Sequence, residues 1–310
     1  MEIFDNDLNA EVIGFGALNV DKLYSVGNIA SADEESFIKG ETDTPGGSAA
    51  NTVVGLARLG LDTSIIGKIA EDEDGDLIEY NLAINGVYTN NLIYSESGST
   101  GKCLGFVDGN GERCLYIDPG VNDDIKVGEI NLLNIMNCKI MHYTSFVGDS
   151  FNAQIELLEK LSPETVLSFD PGMLYVQKGF DELKPILDRT NILLINESEL
   201  RLLCNNNEAP IHELVVNFLD LGIETVVVKQ GSEGVYATNG NEECQVEAFK
   251  AEVVDTTGAG DSFNSGFLYA YLKGYKLEQS CRIANWVASK SIEGFGMEKF
   301  PTLKELEDFF

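Results

Sequence analysis

The chain has 310 residues, 44% of them apolar, with 51 acidic and 21 basic residues for a formal net charge of −30. That length suits a large single α/β domain with a sizeable core, or two small domains. No Lys/Arg cluster is present to meet a phosphate backbone or an anionic headgroup, so neither nucleic acid nor a membrane surface is expected as partner. No apolar run approaches the ~20 residues of a spanning helix. The acidic start, Met1 to Asp7, lacks the basic region of a signal peptide, and a cytoplasmic location is expected. The acidic excess favours solubility, but it obliges any nucleotide to be drawn in by local N–H groups and a metal ion. Cys103, Cys114, Cys138, Cys204, Cys244 and Cys281 have no zinc spacing and are expected as free thiols.

In chain order, residues 12–16 read as a short buried strand and 19–26 stay extended. A polar stretch through Gly40 ends at Pro45-Gly46-Gly47. The helix after it puts Val53, Leu56, Ala57 and Gly60 on one face. Residues 63–69 form the next strand, and Asp74 is placed to cap a helix that ends near Asn85-Gly86. Residues 102–107 and 112–117, around Asp108-Gly109-Asn110-Gly111, carry a hairpin signal. A two-residue loop at Asp108-Gly109 would set Cys103 opposite Cys114. Apolar runs at 140–143, 165–169, 192–195 and 225–228 suit parallel strands buried on both faces. Helices are expected between them, at 152–160 and 211–221. The pattern predicts one α/β layered domain over 1–310 with a small β excursion.

The most informative segment is Val254-Asp255-Thr256-Thr257-Gly258-Ala259-Gly260-Asp261-Ser262-Phe263. It reads as an apolar strand, a glycine turn and the start of a helix with Phe263, Phe267, Ala270 and Tyr271 on one face and Gly266 for close packing. Unpaired N–H groups at a helix start attract phosphate. Asp261 does nothing for holding an anion there, but it can take a proton from a hydroxyl that attacks the phosphate. The segment therefore reads as a phosphoryl-transfer site.

Three weaker signals accompany it. Gly46-Gly47-Ser48-Ala49-Ala50-Asn51 precedes a helix and, with Asn19 and Asp21, can bind vicinal hydroxyls. Asn196 and Glu199 follow a parallel strand, where ligands bind in open α/β sheets, and offer oxygens suited to hydrated Mg²⁺. Lys229-Gln230-Gly231-Ser232-Glu233-Gly234 has the shape of a nucleotide-contacting loop. Other readings fail on spacing. Gly14-x-Gly16-x-x-Asn19 lacks the third glycine of a dinucleotide fingerprint, residues 98–103 miss the phosphate-loop spacing, and 70–81 miss calcium positions one and twelve. His142 and His212 lack metal spacing and read as structural.

With these residues in place the chain resembles the ribokinase-like (PfkB) family of carbohydrate kinases over nearly its whole length. Both family signatures are present, one at Gly46–Asn51 and the more specific one at Asp255–Asp261. The resemblance implies a three-layer α/β/α fold with a mostly parallel central sheet and a small β-sheet lid from about 18–45 and 98–118. In relatives this lid covers the sugar and often forms a dimer contact. It implies Asp261 as catalytic base and the N–H groups of Gly258, Ala259 and Gly260 as anion hole. Asn196 and Glu199 would organise Mg²⁺ and its waters, with Lys229, Gly231 and Asn285 near ATP. Asn19, Asp21, Gly46, Gly47 and Asn51 would hold the acceptor. Some relatives bind K⁺ near the residues matching Asp255 and Thr257, which makes these two a K⁺ candidate.

The acceptor expected from Asn19-Val20-Asp21 is ribose or a similar sugar. Residues 143–146 lack the acidic sugar contact usual in ribokinases, so a nucleoside kinase stays open. Ketohexose and keto-acid kinases, a catalytically silent sugar or nucleotide sensor and, more distantly, a Rossmann oxidoreductase are further alternatives.

Overall fold

The structure, a computed structural model, describes residues 9–110 and 112–310. The reading of Met1 to Asp7 and the hairpin's Gly111 lie outside the described residues. The first strands are β1 (Val12–Phe15), β2 (Asn19–Val26), β3 (Ile38–Gly46), β4 (Thr63–Ala70), β5 (Val87–Tyr88), β6 (Leu92–Ser95), β7 (Gly101–Val107) and β8 (Arg113–Asp118). Then come β9 (Ile140–Thr144), β10 (Val166–Asp170), β11 (Ile192–Asn196), β12 (Thr225–Lys229), β13 (Val235–Thr238) and β14 (Glu243–Val246). The central sheet runs β14-β13-β12-β11-β10-β9-β1-β4-β5, with β6 also on β4. It is parallel from β12 to β5, and β13 and β14 add antiparallel at one edge. A separate sheet, β3-β2-β7-β8, stands apart from it.

The continuous apolar runs feed two cores because successive strand residues point to opposite faces. Ile13, Phe15, Met141, Tyr143, Leu193, Ile195, Val226 and Val228 share one cluster. Val12, Ile140, Ile192, Leu194 and Val227 share the other. The helices are α1 (Ser48–Arg58), α2 (Glu73–Ile84), α3 (Ser150–Leu158), α4 (Gly172–Val176), α5 (Phe180–Leu187) and α6 (Glu197–Leu203). They continue as α7 (Ile211–Leu214), α8 (Val216–Asp220), α9 (Ala259–Leu272), α10 (Leu277–Ser291) and α11 (Leu303–Phe309). Helices α3 to α8 cover the first face; α1, α9, α10 and α11 cover the second. At Gly266 a Cβ would lie 2.9 Å from the Ala284 Cα, so α9 and α10 touch backbone to backbone there.

Several local expectations change. The polar stretch before Pro45 is strand β3, paired antiparallel with β2. Its alternation is hidden because the residues of β3 before Thr44 are exposed. The cap of α2 is Asp72, which accepts the Gly75 N–H at 2.8 Å. Asp74 instead pairs with Lys22 at 2.8 Å and Lys102 at 3.3 Å, tying α2 to β2 and β7. The hairpin register sets Cys103 opposite Ile117 and Cys114 opposite Phe106, because the loop is longer than two residues. All six cysteines are free; Cys244 and Cys281 approach to 3.9 Å between sulfurs. The helix expected over 211–221 is two short ones, α7 and α8, meeting at Val215. No strand precedes Asp255: Val253 and Val254 are exposed, and Val254 N–H donates to the Ile292 carbonyl.

Candidate active site

Four neighbouring parallel strands end in polar side chains: Thr144 on β9, Asp170 on β10, Asn196 on β11 and Lys229 on β12. Next to β9, chain order reverses at β1, which leads to β4 on the opposite side. Ligands of open α/β sheets sit in the crevice beyond the strand ends at such a reversal.

The glycine turn borders this crevice. Gly258 adopts a left-handed conformation (φ 74°) and caps α9. Asp255 shapes the turn, accepting the Thr257 N–H at 2.9 Å and the Gly296 N–H at 3.3 Å on separate oxygens. Both oxygens of this K⁺ candidate are therefore engaged with backbone. The Ala259 N–H is turned toward the Thr256 carbonyl at 3.2 Å. Among the described residues, Gly258 and Gly260 make no such backbone bond, so two of the three expected donors are available as folded.

Asp261, in the first turn of α9, accepts the Asn51 side-chain N–H at 2.8 Å across 210 residues of sequence. Burial pushes its carboxyl up to about 6. Bonds from Asn51 and Ser48 and the charge of Lys229 pull it down, and the Asp170 charge pushes it further up. The Asn51 carbonyl oxygen is buried with no hydrogen-bond partner. An unpaired buried acceptor costs free energy unless a ligand or water donor fills it.

The acceptor-side residues adjoin this pair. Burial pushes Asp21 up to about 6. A Cβ on Gly46 would lie 2.8 Å from its carboxylate oxygen. Gly47 (φ 116°) opens α1, and its carbonyl accepts the Asn51 N–H. Asn19 accepts from Asn122 Nδ2 at 3.1 Å. Asn122, not singled out in the sequence, is itself fixed by both polar groups of the Leu18 backbone. It lies in a stretch without periodicity, where no pattern marks it.

Asn196 and Glu199 form a reciprocal cap on α6: Asn196 Oδ1 accepts the Glu199 N–H at 2.9 Å, and Glu199 Oε2 accepts the Asn196 N–H at 3.1 Å. Burial and the Asp170 charge raise the Glu199 carboxyl. The Asp170 charge raises both the Glu199 and the Asp261 carboxyl and Lys229 opposes it, yet among the described residues no group of three acidic, His or Cys side chains is placed to hold a metal ion, so a divalent cation here would be held through water.

On the far side of the turn lies a cavity of about 790 Å³. Lys229, Gly231, Ala259, Gly260 and Asn285 all line it, as does the 247–251 segment. Gly231 is left-handed with open space above it. Asn285 donates to the carbonyls of Val246 and Glu247, so it holds the cavity wall through backbone. Asp170 and Asn264, both absent from the sequence-predicted set, bind Lys229, which lines the cavity. The rule that marked Asn196, a polar residue ending a parallel strand, marks Asp170 equally well. His142 is buried and neutral, pushed down to about 4 by burial, and bonds Ser168.

A cavity sized for a nucleotide, a glycine-opened helix start and a carboxylate beside an unfilled acceptor define the class of small-molecule phosphotransferases. The family model for pfkB family carbohydrate kinases matches residues 10–303, and the chain belongs to that family. It is 40% identical over 247 residues to an "uncharacterized sugar kinase" of Archaeoglobus fulgidus, covering 78% of this chain and 96% of that one. It is 31% identical to a nucleoside kinase of Methanocaldococcus jannaschii, over 82% of this chain and 80% of the other. The crystal structure of a Thermotoga maritima ribokinase superposes with a TM-score of 0.87 at 26% identity, covering 97% and 99% of the two chains. The protein is a sugar or nucleoside kinase of this family with the ribokinase-like α/β/α fold. Among the described residues no helix is long and apolar enough to cross a membrane.

Proposed function

We propose that this chain transfers the γ-phosphate of ATP to a hydroxyl of a sugar, ribose or a similar sugar, within one catalytic unit in which the small sheet is the lid. The observation that carries the reading is the Asn51 amide, whose N–H is held by Asp261 while its buried carbonyl oxygen has no partner. A hydroxyl donating to that oxygen would stand beside the Asp261 carboxylate. Asn19, Asp21, Gly46 and Gly47 surround the rest of the acceptor. Asp261 takes the hydroxyl proton as the oxygen attacks. The N–H groups of Gly258 and Gly260 face the transferring phosphoryl, joined by Ala259 once it releases the Thr256 carbonyl. Lys229, Gly231 and Asn285 border the nucleotide. Mg²⁺, held through water by Asn196 and Glu199, would offset phosphate charge; K⁺ at Asp255 and Thr257 would share the Asp255 carboxylate with its two backbone N–H donors.

A nucleoside acceptor is the second reading. It is favoured by the missing acid at residues 143–146, where Gln154 instead ties the carbonyls of Phe15 and Thr144. An ATP-consumption screen across pentoses, hexoses, keto-acids and nucleosides, with and without K⁺, separates the two. ATP binding without turnover on any of them would leave a silent sensor and overturn the proposal.

The pH dependence follows from the raised carboxyls. A base must be ionised to act, so kcat/KM is expected to fall as pH drops through about 6, where burial places Asp261 and Asp21. If the limb stayed flat down to pH 4.5, Asp261 would not be the base.

The lid also supplies a dimer surface. Its registers align Leu23, Gly105 and Leu115 in one row and Asp21, Cys103 and Ile117 in the next. Leu23, Leu115 and Ile117 are exposed. A homodimer through this apolar face, in the cytoplasm, is the expected state. Sedimentation should give a dimer mass that Leu115→Asp lowers to a monomer; a monomeric wild type would refute it.

A further inference from the structure

Lys229 is a half-buried cation at the end of β12, its side chain 13% exposed, and its ammonium lies 2.7 Å from Asp170 Oδ2 on β10 and 3.2 Å from Asn264 Oδ1 on α9. Asn264 in turn donates to the same Asp170 oxygen at 2.6 Å. Each of the three groups touches the other two, so the ammonium is fixed by a closed ring spanning three elements. Asn264 stands one helical turn beyond Asp261, and Asp170 is 8% exposed. A Cβ placed on Gly260 would be 3.6 Å from the Lys229 nitrogen, so the ammonium lies against the glycine turn itself.

An ammonium has three donors. Two are taken by Asp170 and Asn264, and among the described residues no third partner is present. Lys229 lines the nucleotide cavity. We propose that Asp170 and Asn264 are positioning residues that hold the Lys229 ammonium behind the glycine turn with one N–H directed at the nucleotide's β- or γ-phosphate. The chain thereby carries a fixed cation of its own in a crevice otherwise lined by carboxylates. This rests on the kinase reading above. A buried ion pair is a poor way to stabilise a core, since well-packed apolar residues of like volume often do as well or better. A pair kept at the edge of a phosphate site instead serves to place a charge. A nucleotide phosphate approaching a net charge of −30 needs such a local cation.

The test compares wild type with Lys229→Met, Asp170→Asn and the double variant Lys229→Met/Asp170→Asn. Displacement of a fluorescent ATP analogue by ATP and by AMP reports the nucleotide cavity, and thermal melting reports the fold. Lys229→Met is expected to weaken ATP by about tenfold or more, the range for a hydrogen bond to a charged group, while AMP changes little. Asp170→Asn should weaken ATP in the same sense, by loosening the ammonium. The double variant should be no worse for ATP than Lys229→Met alone, because Asp170 acts only through Lys229. The double variant leaves no unpaired buried charge and keeps the test readable if Lys229→Met does not fold. Equal loss of ATP and AMP affinity, or a lowered melting temperature with both affinities kept, would make the ring a structural tie and overturn the proposal. A wild type that binds no ATP would sink the kinase reading itself, which the variants alone would not.

Discussion

Asp261→Asn is expected to lower kcat by at least ~10²-fold while leaving ATP affinity within about twofold. The amide cannot take a proton, but it has the size of the carboxylate and can still accept the Asn51 N–H, so the crevice should keep its shape. Loss confined to kcat is the signature of a group that acts at the transition state. The same substitution should raise stability at neutral pH. In the folded chain the carboxyl sits at about 6 against an ordinary 3.8, so the folded state holds the proton more tightly than the unfolded one. The folded state binds more protons between those values, and stability falls as pH rises from about 4 through 6. At pH 7 the ionised Asp261 is a net cost, and removing it should add about 1–2 kcal/mol after discounting for partial solvent access. Stopped turnover with a higher melting temperature would mark Asp261 as kept for chemistry against stability. A fully active variant would sink the assignment.

The layered fold was readable because buried parallel strands announce themselves as apolar runs, and β9 to β12 lie where those runs stand. Helix starts were less legible. Asp72 and Asp74 are both acids at the start of the same helix, and only the Gly75 N–H decides between them. The lid strand β3 carried little signal, since a sheet exposed on both faces has no core to impose alternation. Within the site, the Asp255–Asp261 turn was legible from local chemistry: its glycines leave N–H groups for a phosphate, and Asp261 beside them has the chemistry of a base. Asn51 could be matched to Asp261 only by resemblance, because 210 residues separate them. Asp170 and Asn264 were missed for a related reason. Each is one polar residue inside an apolar pattern, and what gives it meaning is a lysine on another strand. The false strand before Asp255 came from Val253 and Val254, apolar residues that the fold leaves exposed.

Gly47→Ala is expected to be the most damaging single-methyl change at the site. Gly47 has φ 116° and ψ 124°, a conformation that residues with a Cβ rarely adopt. Its Cβ would also lie 2.2 Å from the Ala17 carbonyl oxygen, which belongs to the backbone and cannot rotate away. Strain and overlap together should cost about 2–4 kcal/mol. For a chain of this size that lowers the melting temperature by roughly 4–10 °C. The damage should reach function, because Gly47 opens α1 and that helix carries Asn51 to Asp261. Gly46→Ala is the informative contrast. Gly46 has no positive φ, and its new Cβ would meet the Asp21 carboxylate at 2.8 Å, the mobile end of a side chain. The carboxylate can swing away, so Gly46→Ala should keep most of its stability and lose acceptor affinity, read as a raised acceptor KM with the ATP KM unchanged. The neighbours thus divide by what stands opposite them: a backbone oxygen at Gly47, where the fold suffers, and a substrate-facing carboxylate at Gly46, where binding suffers. If Gly47→Ala melted and turned over like the wild type, the backbone geometry given to this turn would be wrong. If Gly46→Ala left the acceptor KM unchanged, Asp21 would have to be removed from the acceptor site.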